Sequence, residues 1–346
     1  MEESLRYSLM PPVTPYGGEL GFLSVGGVLA TGGANSRSVT YGLMSDNVAR
    51  LEVVTGAGET LTCSPSDRAD LFFAALGGYG QSAIITQATL ELIPAPKNVR
   101  VYWLFHHTMQ EAIHALRSAL AEGIWDQADV LGYQHSYTDA IRAPSPRDGE
   151  LINTLRLTAF HRESPPDDEA LLRNFRSHFS IRIEDVSFRD SLLKKRAFYD
   201  LLDREKVRMQ GPHRGVAIPD DNMEAFLSAL LEKFPLDRVG PYWHVHCVPI
   251  SGPVGLQTPL FRLPAAESWG VVCPWLGMAQ EHSPQASRDL YQLALDNGGM
   301  LLGGLTGWPM LPDDWKAYFG PAWNELQRAK HKYDPNNVLQ SLTNTG

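Results

Sequence analysis

The 346-residue chain reads as an α+β protein, on three observations. Residues 1–97 are short strands joined by glycine turns around one helix. From residue 98 the pattern becomes longer alternating strands separated by amphipathic helices, which predicts an antiparallel sheet covered by helices. The composition, 43% hydrophobic and 20% charged, is that of a globular protein with a sizeable core.

The stretch GFLSVGGVLATGGANSRSVTYG, residues 21–42, comes first. Its paired glycines read as flanking a small strand. Without Cβ atoms, Gly26 and Gly27 allow backbone N–H groups to face an anion or the edge of a planar ring. A tightly packed turn explains the same letters equally well. No G-x-G-x-x-G joins a strand to a helix, and no Walker lysine is present. Next, VARLEVVTGAGETLTCS predicts a hairpin, with Gly56 and Gly58 supplying positive φ in the turn. SDRADLFFAALGGYG predicts a helix capped by Ser66 or Asp67, striped by Leu71, Phe72, Ala75 and Leu76, and stopped at Gly77–Gly78. That second glycine pair reads either as a C-cap or as a second ligand loop. SAIITQATLELIPAP predicts a strand ended by prolines.

Beyond it, VRVYWLFHH, ADVLGYQHS, ELINTLRLTAFHRE, YWHVHCVPIS and SWGVVCPWLGM predict strands. MQEAIHALRSALAEG, DDEALLRNFRSHF, SLLKKRAFYDLLDREKV and DNMEAFLSALLEKF predict helices. The tail from Leu311 predicts two helical stretches ending at a Tyr-Asp-Pro turn. Tyr133, Tyr137, Tyr242, Trp243, Trp269, Trp275 and Trp308 could wall a flat, apolar substrate, although core packing accounts for most such residues.

The net charge of −9 argues against nucleic-acid partners. No apolar run is long enough to span a bilayer, and MEESLRYSLM lacks the features of a secretory signal. Cys63, Cys247 and Cys273 have no metal-knuckle spacing and suit a reducing, cytoplasmic setting. On a strand His244 and His246 would share a face, but no third ligand is apparent and no metal site is assigned. Glu19 precedes the SVGG stretch and would be a plausible base if that stretch lines a site.

In order, LSVGGVLATGG, YGLMSDNVARLEVVTGAGETLTCS, DLFFAALGGYGQSAIIT, LELIPAP and AKHKYDPNNVL resemble one family. It is the vanillyl-alcohol-oxidase or PCMH-type FAD-linked oxidoreductases, in particular cytokinin dehydrogenase and its bacterial relatives. The resemblance implies part of an FAD-binding lobe over 1–97, an antiparallel-sheet substrate domain over 98–312, and a C-terminal segment, 313–346, returning to the FAD domain. Members oxidise a C–N or C–O bond by hydride transfer to the flavin. By position it places Ser24, Ala30, Ala34, Ile85, Gln340 and Thr343 against FAD, and Glu19 where the family keeps its catalytic base. TPYGG and the lost Pro-Gly-Gln depart from the family pattern.

The resemblance also implies a first FAD lobe preceding the matched region, and nothing in the sequence corresponds to it. Three readings follow: an FAD oxidoreductase of a small, flat or apolar molecule whose first lobe comes from a separate chain or an upstream start; a flavin-free descendant catalysing a reaction such as cyclisation; or a non-catalytic binding protein.

Overall fold

The structure is a computed structural model that describes residues 2–14, 23–133, 144, 151–192, 214–235, 244–250, 255–264, 267–273, 283–302 and 310–339. Strands follow in chain order as β1 (Leu9–Met10), β2 (Val48–Thr55), β3 (Thr60–Cys63), β4 (Ala83–Leu90), β5 (Ile93–Pro94), β6 (Asn98–His106), β7 (Gln127–Tyr133), β8 (Ile152–His161), β9 (Ser180–Ser187), β10 (Arg214–Pro219), β11 (His244–Pro249), β12 (Ser268–Cys273) and β13 (Met300–Leu301). All pair antiparallel, so the α+β expectation holds.

A glycine-rich lobe is built on the three-stranded sheet β3-β2-β4. The helix Ala69–Ala75 packs Leu71, Phe72, Ala74 and Ala75 onto Leu51 and Val53 of β2. Its N-cap is Arg68, in the left-handed region at φ 51°, rather than Ser66 or Asp67. In the β2–β3 turn only Gly58 has positive φ, at 80°. Gly56 serves a different need: a Cβ there would lie 2.0 Å from Oδ1 of Asp334. The helices Pro312–Phe319 and Trp323–Tyr333 complete this core with Trp315, Phe319, Leu326 and Tyr333. Tyr333 also donates to Asp70, 3.0 Å away.

The larger unit is an eight-stranded sheet among the described residues, in the order β13-β10-β12-β11-β7-β8-β6-β9. One face is covered by the helices Met109–Glu122, Met223–Lys233 and Ser283–Asp296. Met109, Ala112, Ile113, Leu116 and Ala119 recur at helical spacing and pack against Tyr102, Leu104, Val130 and Leu155. Thr108 caps that helix by accepting from the Glu111 amide (3.1 Å), while the Glu111 carboxylate accepts from the Thr108 amide (3.2 Å). Such a box is worth about 1 kcal/mol. Alternate residues of the strands, Val101, Trp103 and Phe105 of β6 among them, point to the opposite face. Because β6 is buried on both sides, its sequence is almost continuously apolar.

The sequence reading missed β9, β10, β13 and the Ser283–Asp296 helix, and made the helix at Asp168–Leu172 too long. SLLKKRAFYDLLDREKV lies mostly outside the described residues. No helix among the described residues is long and apolar enough to cross a membrane.

Candidate functional site between lobe and sheet

The SVGG stretch is a helix, Val25–Ala30, and not the strand its letters suggest. Ser24, extended at φ −81° and ψ 148°, caps it by accepting from the Gly27 amide at 3.0 Å. That cap, with Val28 and Leu29 buried in the lobe core, outweighs the poor helix propensity of two glycines. Gly26 is required by close approach, since a Cβ there would meet the Ile85 carbonyl at 3.0 Å. Ser24, Gly26, Gly27 and Ile85 are thus brought together.

Ala30 joins the two glycine loops, because its carbonyl accepts from the Tyr79 amide at 2.9 Å and that of Leu29 accepts from Gly77 at 3.0 Å. Gly77 has φ +71°, and a Cβ there would lie 3.2 Å from Thr258 and 3.4 Å from Leu260. A Cβ on Gly78 would strike the Ala74 carbonyl at 2.0 Å. Both glycines are buried, and the space beside them holds the chain's own Thr258–Phe261 turn. Ala34 packs with Leu43 on Ala217 and Ile250 of the large sheet. Glu19, Gln340 and Thr343 lie outside the described residues.

Around Ser24 the surface is apolar: Leu23 is 45% and Val25 51% exposed. First-turn amides of a helix have no partner within it. Ser24 and Val25, with partly exposed Gly26, therefore set a hydroxyl and backbone N–H donors among exposed apolar side chains.

The lobe lies over the helix-free face of the sheet. Ala34 and Leu43 touch that face at one side, and Arg37 stacks on Phe160 at the other. Between them the face carries charge. Asp129 of β7, 1% exposed, accepts from Arg156 of β8 through Nε at 2.9 Å and through Nη2. His246 of β11 places Nε2 3.3 Å from the same carboxylate. Arg156 also lies 5.6 Å from the centre of the Trp103 ring, and Trp103 donates its indole N–H to Glu184 at 3.2 Å. Burial alone pushes the Asp129 carboxyl up, but Arg156 and His246 outweigh it and hold it well below the usual carboxylate range.

Sequence reasoning did not single out Asp129 or Arg156. The signal was there: a lone charged residue in each of two otherwise uncharged stretches, ADVLG and NTLRLT. Of the aromatic residues noted, Tyr133 lies buried on this face, whereas Trp269 faces the helices. The other five lie outside the described residues. Cys247 points away from His246 into the helix-side core. Among the described residues no group of three or more His, Cys, Asp or Glu side chains is set to hold a metal ion.

Comparison with known proteins gives this arrangement a context. The FAD binding domain family matches residues 1–64. An uncharacterised oxidoreductase from the fasciation locus of Rhodococcoides fascians is 29% identical over 345 residues, covering 96% of this chain and 74% of that protein. Cytokinin dehydrogenase 9 of Oryza sativa subsp. japonica is 27% identical, covering 98% of this chain and 69% of its own. Cytokinin dehydrogenase 3 of Arabidopsis thaliana is 48% identical over a shorter stretch, 24% of this chain. The chain is a relative of the FAD-linked, cytokinin-dehydrogenase-like oxidoreductases.

FAD is the cofactor these likenesses indicate. In this oxidoreductase relative, the surface at Ser24 fits such a group: the hydroxyl and first-turn amides suit its polar oxygens, and Leu23 and Val25 suit its flat ring. Gly27 keeps a side chain out of that approach, since a Cβ there would lie 3.0 Å from the Ser24 hydroxyl, whereas Gly26 lets the helix sit close on β4.

Proposed function

We propose that the chain is a flavin-dependent oxidoreductase of a small, flat or apolar molecule, removing a hydride from carbon next to nitrogen or oxygen. Bound FAD supplies the two-electron oxidant. Ser24, Gly26, Gly27, Ala30, Ala34 and Ile85, with Gln340 and Thr343, hold it. By the resemblance, Glu19 stands where the family keeps its base and is one candidate acceptor for the proton released from the substrate. The observation that carries this reading is the exposed, Ser24-capped glycine helix in a lobe that packs on the large sheet through Arg37 and Leu43. Gly77 and Gly78 contribute indirectly, by letting the Thr258–Phe261 turn pack close and fix the Ala30 loop.

Two of the relatives described above carry cytokinin dehydrogenase as their name, so a cytokinin is the first substrate to try. The purified chain is titrated with FAD and its visible spectrum followed, then mixed anaerobically with a cytokinin. Flavin bands that bleach on mixing support the reading. A folded chain that takes up no FAD at high micromolar concentration would sink it in favour of the flavin-free alternative.

A further inference from the structure

The HVHC motif finds a partner in the fold that its letters do not show. His246 stands on the sheet face turned toward the glycine-rich lobe, and its Nε2 lies 3.3 Å from Oδ2 of Asp129. Asp129 is itself clamped by Arg156 on the neighbouring strand. Strand alternation enforces the arrangement. Ala128 and Val130, Leu155 and Leu157, and Val245 and Cys247 all enter the helix-side core, so Asp129, Arg156 and His246 turn the other way. The register then completes it: Asp129 faces Arg156 directly, and His246 faces Leu131, two residues along β7 from Asp129.

A buried carboxylate beside a histidine has a defined chemical use. It orients the imidazole and stabilises the imidazolium that forms when the ring takes a proton. Arg156 adds a condition: by keeping Asp129 ionised, it leaves the histidine as the group that changes charge. Asp129 and Arg156 cancel, so the net charge of the three groups follows that of His246.

Resting on the flavin reading above, we propose that His246, on the sheet face turned toward the lobe, is a proton acceptor in the reaction, with Asp129 as its positioning residue and Arg156 as the counter-charge. In the step, the substrate C–H bond breaks and its electron pair leaves as hydride for the flavin, which is reduced. The adjacent N–H or O–H bond breaks, its electron pair forms the new C=N or C=O bond, and its proton goes to His246. Among the described residues, the other titratable side chains on this face of the adjoining strands are Tyr133 on β7 and, along β11, His244.

The test uses the FAD-loaded chain and two measurements. The first needs no substrate: the NMR titration of the His246 ring, assigned by its loss in His246→Gln. Replacing the carboxylate in Asp129→Asn should lower the His246 midpoint by about one pH unit or more. An unmoved midpoint, or a His246 that stays cationic at pH 8, overturns the proposal.

The second follows flavin bleaching in a single anaerobic turnover with benzylamine and benzyl alcohol as probes. His246→Gln should slow bleaching about 100-fold or more with its flavin spectrum retained, and added imidazole should restore part of the rate. Asp129→Asn should lower the limiting rate and leave the probe concentration at half-maximum nearly unchanged. Bleaching of His246→Gln at the wild-type rate overturns the proposal. Absence of flavin bands or of wild-type bleaching counts instead against the oxidoreductase reading, and the NMR midpoint then decides whether the Asp129–His246 coupling exists. Should Asp129→Asn fail to fold, Arg156→Met, which removes the counter-charge, should raise the His246 midpoint, and an unmoved midpoint there is equally fatal.

Discussion

The guanidinium carbon of Arg37 lies 4.9 Å from the ring centre of Phe160, so a cation of the glycine-rich lobe is packed on the large sheet. Tyr41 closes the other side at 4.8 Å, Nε donates to the Pro12 carbonyl at 2.7 Å, and Asp126 stands 3.7 Å from Nη1. Removing the charge in Arg37→Met leaves the Asp126 carboxylate and the Pro12 carbonyl without it, and should cost about 3 kcal/mol. Arg37→Lys keeps the charge but loses the flat stack, and should cost less. Urea unfolding of both variants checks the order.

Gly56 and Asp334 make a second joint. The Asp334 carboxylate accepts from Lys330, from the Val338 amide at 2.7 Å and from the Leu339 amide at 2.9 Å, all within reach of the β2–β3 turn. A methyl group at position 56 would occupy the place of that carboxylate. Gly56→Ala should therefore destabilise by about 2–4 kcal/mol. Asp334→Ala, which strands a buried Lys330, should cost about 3 kcal/mol. Since both act on one contact, the double variant should cost clearly less than the sum, as a double-mutant cycle would show.

His106 gives a prediction in pH. It is 2% exposed, and neither ring nitrogen has a hydrogen-bond partner among the described residues. Burial first, then the neighbouring His178, lowers its pKa to about 4, with Glu111 opposing. A histidine depressed in the folded state binds its proton more readily when unfolded, so its contribution is complete above the unfolded value of about 6.5. Stability should then fall as pH drops from there to about 4. His106→Phe should flatten that part of the curve, seen as a smaller shift of the urea midpoint between pH 7 and 4.5. An equally steep fall would show that other groups set the acid limb.

Ser24 separates cap from cofactor. Ser24→Gly should cost only a few tenths of a kcal/mol in stability, whereas Ser24→Ala costs about 1 kcal/mol. Both remove the hydroxyl, so both should weaken FAD binding about tenfold, the worth of one hydrogen bond. Equal FAD affinity in all three proteins would remove Ser24 from the site.

These contrasts also show what was legible in the letters. The Met109–Glu122 helix and strands β6, β7 and β8 were plain, because capping and period are local signals. The Val25–Ala30 helix was not: two glycines are poor helix formers, and the Ser24 cap with the burial of Val28 and Leu29 decides otherwise. Strand β9 was missed because its residues are half-buried at a sheet edge, and β13 because two residues carry no period. The functional reading came from five glycine and turn motifs in order. The Asp129–Arg156–His246 cluster did not, because strands far apart in sequence assemble it.

The lobe core joins Leu71 and Phe72 to Trp315, Leu326 and Tyr333, and the Tyr333 hydroxyl reaches Asp70 across 263 positions of chain. On the ribosome, the first residues of that core therefore wait, exposed, while the whole sheet is made and folded. Only when the last helices emerge can the lobe close. Nascent chains stalled before Pro312 should hold a folded sheet beside an open lobe, which makes this segment the one that needs a chaperone.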